Sequence, residues 1–300
     1  MPLHTMKVSI KEGKLGMGYD ERVVINVSEA LVNAGSTFQS DKKAAYERAI
    51  QAETNAQAKW TMETILKNAI VAEKNKSPLC DDTGIPHLVL EVGPNVAVTG
   101  DMIKSIKEGI RQGLWKLPGR PMSIKGDDYH RIDQSLGMDE DPAALEAAPI
   151  LIRNIDENVI RLHVLMFGGG SAIRGKTHRV FHKHSVQAVL DEIVSWAKEG
   201  TTLLGCTPCT IAVGVGRSHY EASSMMLQAL VDGTYEQQSE MEKEISERIN
   251  RAGVGPLGLG GKTTVLATFM KVGPQRASGI RVVCMRPCCC FEPRIATVEI

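Results

Sequence analysis

Residues 185–216 read SVQAVLDEIVSWAKEGTTLLGCTPCTIAVGVG, and their order fixes the class of fold. Residues 185–198 carry a helical pattern that opens on Ser185, a good N-cap, and is expected to stop before Gly200. Residues 210–216 are a short apolar run of strand type. Between the two lies GCTPC, with Cys206 and Cys209. Helix, turn and strand in succession are the unit of a mixed α/β protein. A cysteine at such a junction sits on a rigid frame and stays within reach of a ligand.

The same alternation extends in both directions. Residues 41–73 are rich in alanine and charge, lack Pro and Gly, and predict one long helix. Residues 218–232 predict another helix opened by serine, and residues 235–250 place Met241, Ile245 and Ile249 on one narrow apolar stripe. Strand-like runs fall at 87–92, 150–154, 158–166, 263–270 and 279–285, and 150–166 reads as a hairpin turning at Asp156-Glu157-Asn158. Residues 117–147 are polar and irregular and predict a long loop. The expected fold class is therefore α/β, with mixed sheets flanked by helices. Residues 1–300 are expected to form a single domain, helical over about 1–75 and mixed α/β over 76–300.

Composition narrows the function. Lys plus Arg and Asp plus Glu are 35 each, so no net charge draws the chain to nucleic acid or to a membrane surface. The N-terminal residues MPLHTMKVSIKEGKLGMGYDE scatter charge and contain no apolar signal core, and no run approaches the ~18 apolar residues of a membrane span. A cytoplasmic location is expected. Seven cysteines is an odd number, and four of them fall between Cys284 and Cys290. In a reducing compartment, cysteines in Gly- and Pro-rich turns more often bind metal or react than form disulfides.

Cys209 and Cys284 lie inside apolar runs and read as buried small hydrophobes. Cys80 in SPLCDDTGIP, Cys206 in GCTPC and Cys288 in RPCCCFEP sit where helix and strand patterns break. Three such loops can converge on one metal site. Three thiolates leave a coordination position open, and an iron lacking a protein ligand can act as a Lewis acid.

Four motifs occur in order: Cys80-Asp81-Asp82-Thr83-Gly84, Gly168-Gly169-Gly170-Ser171, Cys206-Thr207-Pro208 running to Gly214-Val215-Gly216, and Gly258-Leu259-Gly260-Gly261-Lys262-Thr263-Thr264. From about residue 40 to 290 the chain resembles the α subunit, or N-terminal domain, of the iron–sulfur class I fumarases and L-tartrate dehydratases. The resemblance implies a [4Fe-4S] cluster held by Cys80, Cys206 and Cys288, although three adjacent cysteines leave the last register open by a residue. It implies dehydration of a small 2-hydroxy dicarboxylic acid, with Asp82 as the catalytic acid–base group and Arg120 binding a substrate carboxylate through its guanidinium fork. Asp81, Gly168, Gly169, Gly170 and Lys262 are the further substrate-binding residues it implies. The chain ends twelve residues past Cys288, so a separate β subunit and an α₂β₂ assembly built on an α homodimer are expected.

The sequence departs from the family pattern at several points. Asp81 stands where a glutamine is usual, MSIKGDDYHRIDQ replaces an asparagine-rich stretch, Arg276 stands for a histidine, and Pro287-Cys288 replaces Gly-Cys. These changes bear on the substrate and leave the cysteines intact. They also sustain a competing reading, a metal-binding or redox protein that kept the scaffold without the catalysis. GLGGKTT is not a phosphate loop, because Pro256 stands where a Walker A glycine is required. His178, His182 and His184 lack a cysteine or carboxylate at zinc spacing and read as solvated loop residues.

Overall fold

A computed structural model of the protein describes residues 19–117, 119 and 122–300. Three helices come first: α1 (Glu21–Ser36), α2 (Ser40–Ala52) and α3 (Ala56–Asn75). Strand β1 (Ile85–Val92), α4 (Gly100–Lys116) and the short α5 (Asp128–Asp133) follow, then β2 (Leu151–Asn154), β3 (Ile160–Phe167), the one-turn α6 (Gly169–Ala172) and β4 (Lys176–Phe181). The chain continues through α7 (Val186–Leu204), β5 (Cys209–Gly216), α8 (His219–Asp232), α9 (Glu240–Asn250), β6 (Val265–Val272), β7 (Ile280–Cys288) and β8 (Ile295–Glu299).

The helices begin where side chains can satisfy their free amides. Asp20, Asn55, Ser185 and Ser218 accept backbone N–H bonds at the starts of α1, α3, α7 and α8, and Ser239 with Glu242 forms a full capping box on α9. The expected single helix over 41–73 is two helices. At the break, Glu53 accepts the amides of Thr54 and Asn55 at 2.8 and 2.9 Å, and Asn55 caps the second helix. Helix α7 runs through Gly200, which serves a close approach to Arg174 and Pro287, and it ends at Gly205, where φ is +76°.

The mixed α/β architecture holds, as two four-stranded sheets ordered β2-β1-β3-β8 and β4-β7-β5-β6. The expected hairpin over 150–166 does not form. β2 pairs parallel with β1, while β3 pairs antiparallel with β1 on its other side, so β1 separates the two. Strand periodicity had located both strands without identifying their partners.

Period-two alternation sorts each strand between two cores. On the first sheet Leu88, Leu90, Leu162, Val164 and Met166 face α1 and α4, while Val89, Leu165 and Phe167 face inward. On the second, Ile211, Val213, Val215, Val283 and Met285 pack under α7 and α9, while Ala212, Val282, Cys284 and Cys288 face inward. Helix α8 fills the layer between the sheets, contributing Ala222, Met226, Ala229 and Leu230 to the inner core. No helix among the described residues is long and apolar enough to cross a membrane.

A buried polar network ties the sheets together. Glu91 on β1 is 4% exposed and accepts Arg153 Nε at 3.0 Å and Arg161 Nη1 at 2.9 Å, with His163 Nε2 at 3.2 Å. Arg153 also donates to Asp232 at the end of α8, and Asp232 pairs with Lys271 on β6 of the other sheet. A buried carboxylate needs such partners, because its desolvation is otherwise uncompensated.

Candidate active site

Antiparallel pairing brings the motif loops to one end of the molecule. Ile85 at the start of β1 lies opposite Phe167 at the end of β3, and Leu165 lies opposite Ile295 at the start of β8. In the second sheet Thr210 near the start of β5 lies opposite Cys288 at the end of β7. The loops holding Cys80–Asp82, Gly168–Gly170, Cys206 and Cys288–Arg294 therefore all leave from these strand ends.

Backbone hydrogen bonds join those loops directly. Cys290 N donates to Cys206 O at 2.8 Å, and Cys289 N donates to Ser171 Oγ at 3.0 Å. Beneath them lies a charged triad of Arg286, Glu292 and Arg294, all buried. Glu292 accepts the amide of Gly168 and pairs with Arg286 Nη2 at 3.0 Å. Arg286 also donates to Gly168 O at 3.1 Å and lies 4.4 Å from the centroid of the Phe167 ring. Arg294 donates to Asp82 O at 2.8 Å and to Met166 O at 3.2 Å. One triad thus fixes both the Asp82 loop and the glycine loop.

Asp82 is held at its backbone and at one carboxylate oxygen. Gly169 N donates to Oδ2 at 2.9 Å, and Oδ1 is buried with no hydrogen-bond partner. An unpartnered buried carboxylate oxygen is unusual and marks a place for a proton or a ligand. Gly168 is required here, because a Cβ would stand 2.6 Å from Asp82 Oδ2. Gly169 and Gly170 have open space at the Cβ position, so the close approach their motif suggests is made by the protein's own carboxylates at Gly168.

The cysteines divide into two sets. Cys209, Cys284 and Cys288 lie within the strands and are buried in the cores. Cys80 is half-buried at the loop, with its Sγ 3.4 Å from Asp81 Oδ1, and Cys206 is exposed. Cys289 is half-buried and within electrostatic range of Cys80. The Cys290 thiol faces both Cys206 and Cys289. The expected third ligand, Cys288, shares the inner face of β7 with Cys284 and is 0% exposed, with Glu292, Arg286 and Lys42 within electrostatic range. Its neighbour Cys289 faces the loop cluster.

These environments tune the thiols in opposite directions. The hydrogen bond from Cys290 lowers the Cys206 pKa to about 6, which makes it a thiolate at neutral pH. Cys289, which also faces the Cys290 thiol, is lowered too, and Cys290 is pushed well up. Burial raises Cys80 to about 11 and pushes Cys288 far up. Lys42, wholly buried on α2, is lowered by burial to about 8 and stays cationic at neutral pH.

Other residues expected at the site are placed as follows. Asp81 is exposed beside Cys80. Lys262 directs its Nζ to Ala52 O at the end of α2, at 2.9 Å, and its amide to Glu53. The glycine turn before Lys262 meets the Cys206 loop through Thr207, whose Oγ1 donates to Gly255 O at 2.6 Å. Arg120 lies outside the described residues. Sequence reasoning overlooked Arg286, Glu292, Arg294 and Lys42. The MRPCCCFEPR stretch offered a signal, since charges adjoin cysteines directly after a strand.

Among the described residues, no three His, Cys, Asp or Glu side chains converge closely enough to bind a single metal ion. A lone ion needs all its ligands around one point at about 2.3 Å for sulfur. A four-iron cluster takes each thiolate at a different corner, so its ligands stand further apart.

Thiols, a partly unsatisfied aspartate and glycine amides gather on one rigid α/β frame. Residues 25–299 match the fumarate hydratase (Fumerase) family, and the chain belongs to it. Membership supports a hydro-lyase acting on a dicarboxylic acid. A Methanocaldococcus jannaschii protein provisionally named L(+)-tartrate dehydratase subunit alpha is 26% identical over 286 residues, covering 91% of this chain and 96% of that relative. The L(+)-tartrate dehydratase subunit alpha proteins of Escherichia coli K12 and Shigella sonnei are each 23% identical over 245 residues, covering 79% of this chain and 78% of theirs.

Proposed function

We propose that the chain is the cytoplasmic α subunit of a [4Fe-4S]-dependent hydro-lyase. It reversibly dehydrates a small 2-hydroxy dicarboxylic acid of the malate/fumarate or tartrate type. The observation that carries this reading is the meeting of the Cys206 loop, the Cys289–Arg294 segment and the Cys80-Asp81-Asp82 loop at one end of the two sheets. Cys80, Cys206 and Cys289 are the proposed ligands. Cys289 replaces Cys288 in that set because Cys288 belongs to the inner core.

The donor set suits the cluster. Three thiols on separate loops match a site with one iron left open, and Cys206 is already disposed to be a thiolate. When bound, the cluster supplies a Lewis-acidic iron that makes hydroxide a better leaving group. Asp82 holds or moves the proton at Oδ1, since Oδ2 is engaged by Gly169 and Oδ1 is free. The open backbone at Gly169 and Gly170, with Arg120 and Lys262, is proposed to take the substrate carboxylates, and Asp81 the side nearest Cys80. Lys262 takes this role on releasing Ala52 O at the end of α2.

The relatives are named as α subunits, which supports a separate β subunit; an α₂β₂ assembly built on an α homodimer is part of the proposal. The test is anaerobic co-purification with a β-type protein encoded nearby, followed by assay on fumarate, tartrate and mesaconate. Turnover by the complex, lost in Asp82→Asn with the cluster retained, is the expected result. A complex that carries the cluster but turns over none of a wide panel of hydroxy acids would leave a non-catalytic iron–sulfur protein.

A further inference from the structure

Helix α2 presents two side chains one turn apart to the back of the cysteine-rich segment. Tyr46 Oη donates to Cys290 O at 2.9 Å, and Lys42 Nζ donates to Glu292 O at 2.7 Å. Tyr46 is 0% and Lys42 1% exposed. The Lys42 ammonium also lies 4.4 Å from the centroid of the Phe38 ring.

A fully buried ammonium ordinarily pairs with a carboxylate, because desolvation without a counter-ion is costly. Among the described residues the Nζ contacts of Lys42 are a carbonyl and an aromatic face. The Glu292 carboxylate is already shared by Arg286, Arg294 and the Gly168 amide. What remains around Lys42 is the run Cys288, Cys289 and Cys290. In the thiol form these give the ammonium no counter-charge. As a ligand of an iron–sulfur group, Cys289 is part of an anionic assembly.

We propose that Lys42 is a positioning residue whose ammonium provides the counter-charge for the cluster and holds the Cys288–Glu292 turn against α2. This rests on the cluster reading above. Two consequences follow from the sign of the charge. A cation beside the cluster favours its more negative, reduced state, so removing it lowers the reduction potential. It also favours the ligated state over the empty one, so removing it speeds iron loss.

The test compares the wild-type protein with Lys42→Met and Lys42→Gln, all purified anaerobically and loaded with iron and sulfide. Methionine removes charge and hydrogen bond; glutamine keeps a donor for Glu292 O without the charge. Readouts are the potential from an EPR-monitored titration and the rate of iron release to a chelator. Both variants are expected to show a more negative potential and iron release about tenfold faster, the equivalent of about 1.4 kcal/mol. Either variant decides the matter if the other fails to fold. Wild-type behaviour in a folded, iron-loaded variant overturns the proposal. Wild-type behaviour in Lys42→Gln alone assigns the effect to the hydrogen bond and overturns it as well. Wild-type protein that holds no iron after anaerobic loading overturns the cluster reading itself.

Discussion

The Cys290 amide donates to the Cys206 carbonyl across 2.8 Å. The bond pins the turn after β7 to the turn before β5. It places the Cys290 thiol between Cys206 and Cys289.

The first prediction concerns that thiol. Its hydrogen bond holds Cys206 at about 6, so cluster-free protein should alkylate at Cys206 with a pH midpoint near that value. In Cys290→Ala the midpoint should move up toward the ordinary thiol value of about 8.5. Iodoacetamide labelling followed by mass spectrometry reads both. A midpoint unmoved by Cys290→Ala would show that the hydrogen bond does not tune Cys206.

The second concerns the bridge between the sheets. Removing Glu91 leaves Arg153, Arg161 and His163 without their shared acceptor. Glu91→Ala should lose about 3 kcal/mol in urea unfolding, in line with breaking a buried ion pair. Glu299→Ala removes only an exposed partner of Arg161 and should change stability by less than about 1 kcal/mol.

Acid sensitivity provides a third. Burial is the main cause lowering both His87 and His163 below the usual histidine value. The unfolded chain therefore binds protons at a higher pH than the folded one. Their contribution is fully present above about pH 6.5 and is lost as pH falls through the folded-state values. The urea midpoint should drop between pH 7.5 and 5.5, and His87→Asn should flatten that drop. A slope unchanged in His87→Asn would count against its burial as a neutral ring.

A fourth tests packing between β5 and α8. A Cβ at Gly214 would collide with the backbone of Ala222 and Met226, which cannot yield as a side chain end can. Gly214→Ala should cost at least about 2 kcal/mol. Gly279→Ala meets nothing within 4 Å and should be near neutral. Thermal unfolding of the two variants makes the comparison.

Much of this was legible in the residues. The serine caps of α7 and α8 and the strands at β5, β6 and β7 are local signals, and they formed as the pattern indicated. Strand partners were not legible, because periodicity carries no record of neighbours, and β1 came to separate β2 from β3. The helix break at Glu53–Asn55 was written in the Asn55 cap but outweighed by the helix-forming residues around it. Three adjacent cysteines leave the ligand register open by a residue in the sequence, and strand pairing shows which of them lies in the core. Cys284 and Cys288 are four apart, so continuing the β7 alternation through Pro287 turns both inward and leaves Cys289 as the first to emerge. The Arg286–Glu292–Arg294 triad was least visible, since buried charges reveal their partners only in three dimensions.

Iron and sulfide content of anaerobically purified Cys288→Ala and Cys289→Ser, measured beside the wild type, tests the cluster assignment most directly. The account predicts about four irons in the wild type and in Cys288→Ala, and loss of the cluster in Cys289→Ser. Loss in Cys288→Ala with retention in Cys289→Ser, or a colourless wild type holding stoichiometric zinc, would contradict it.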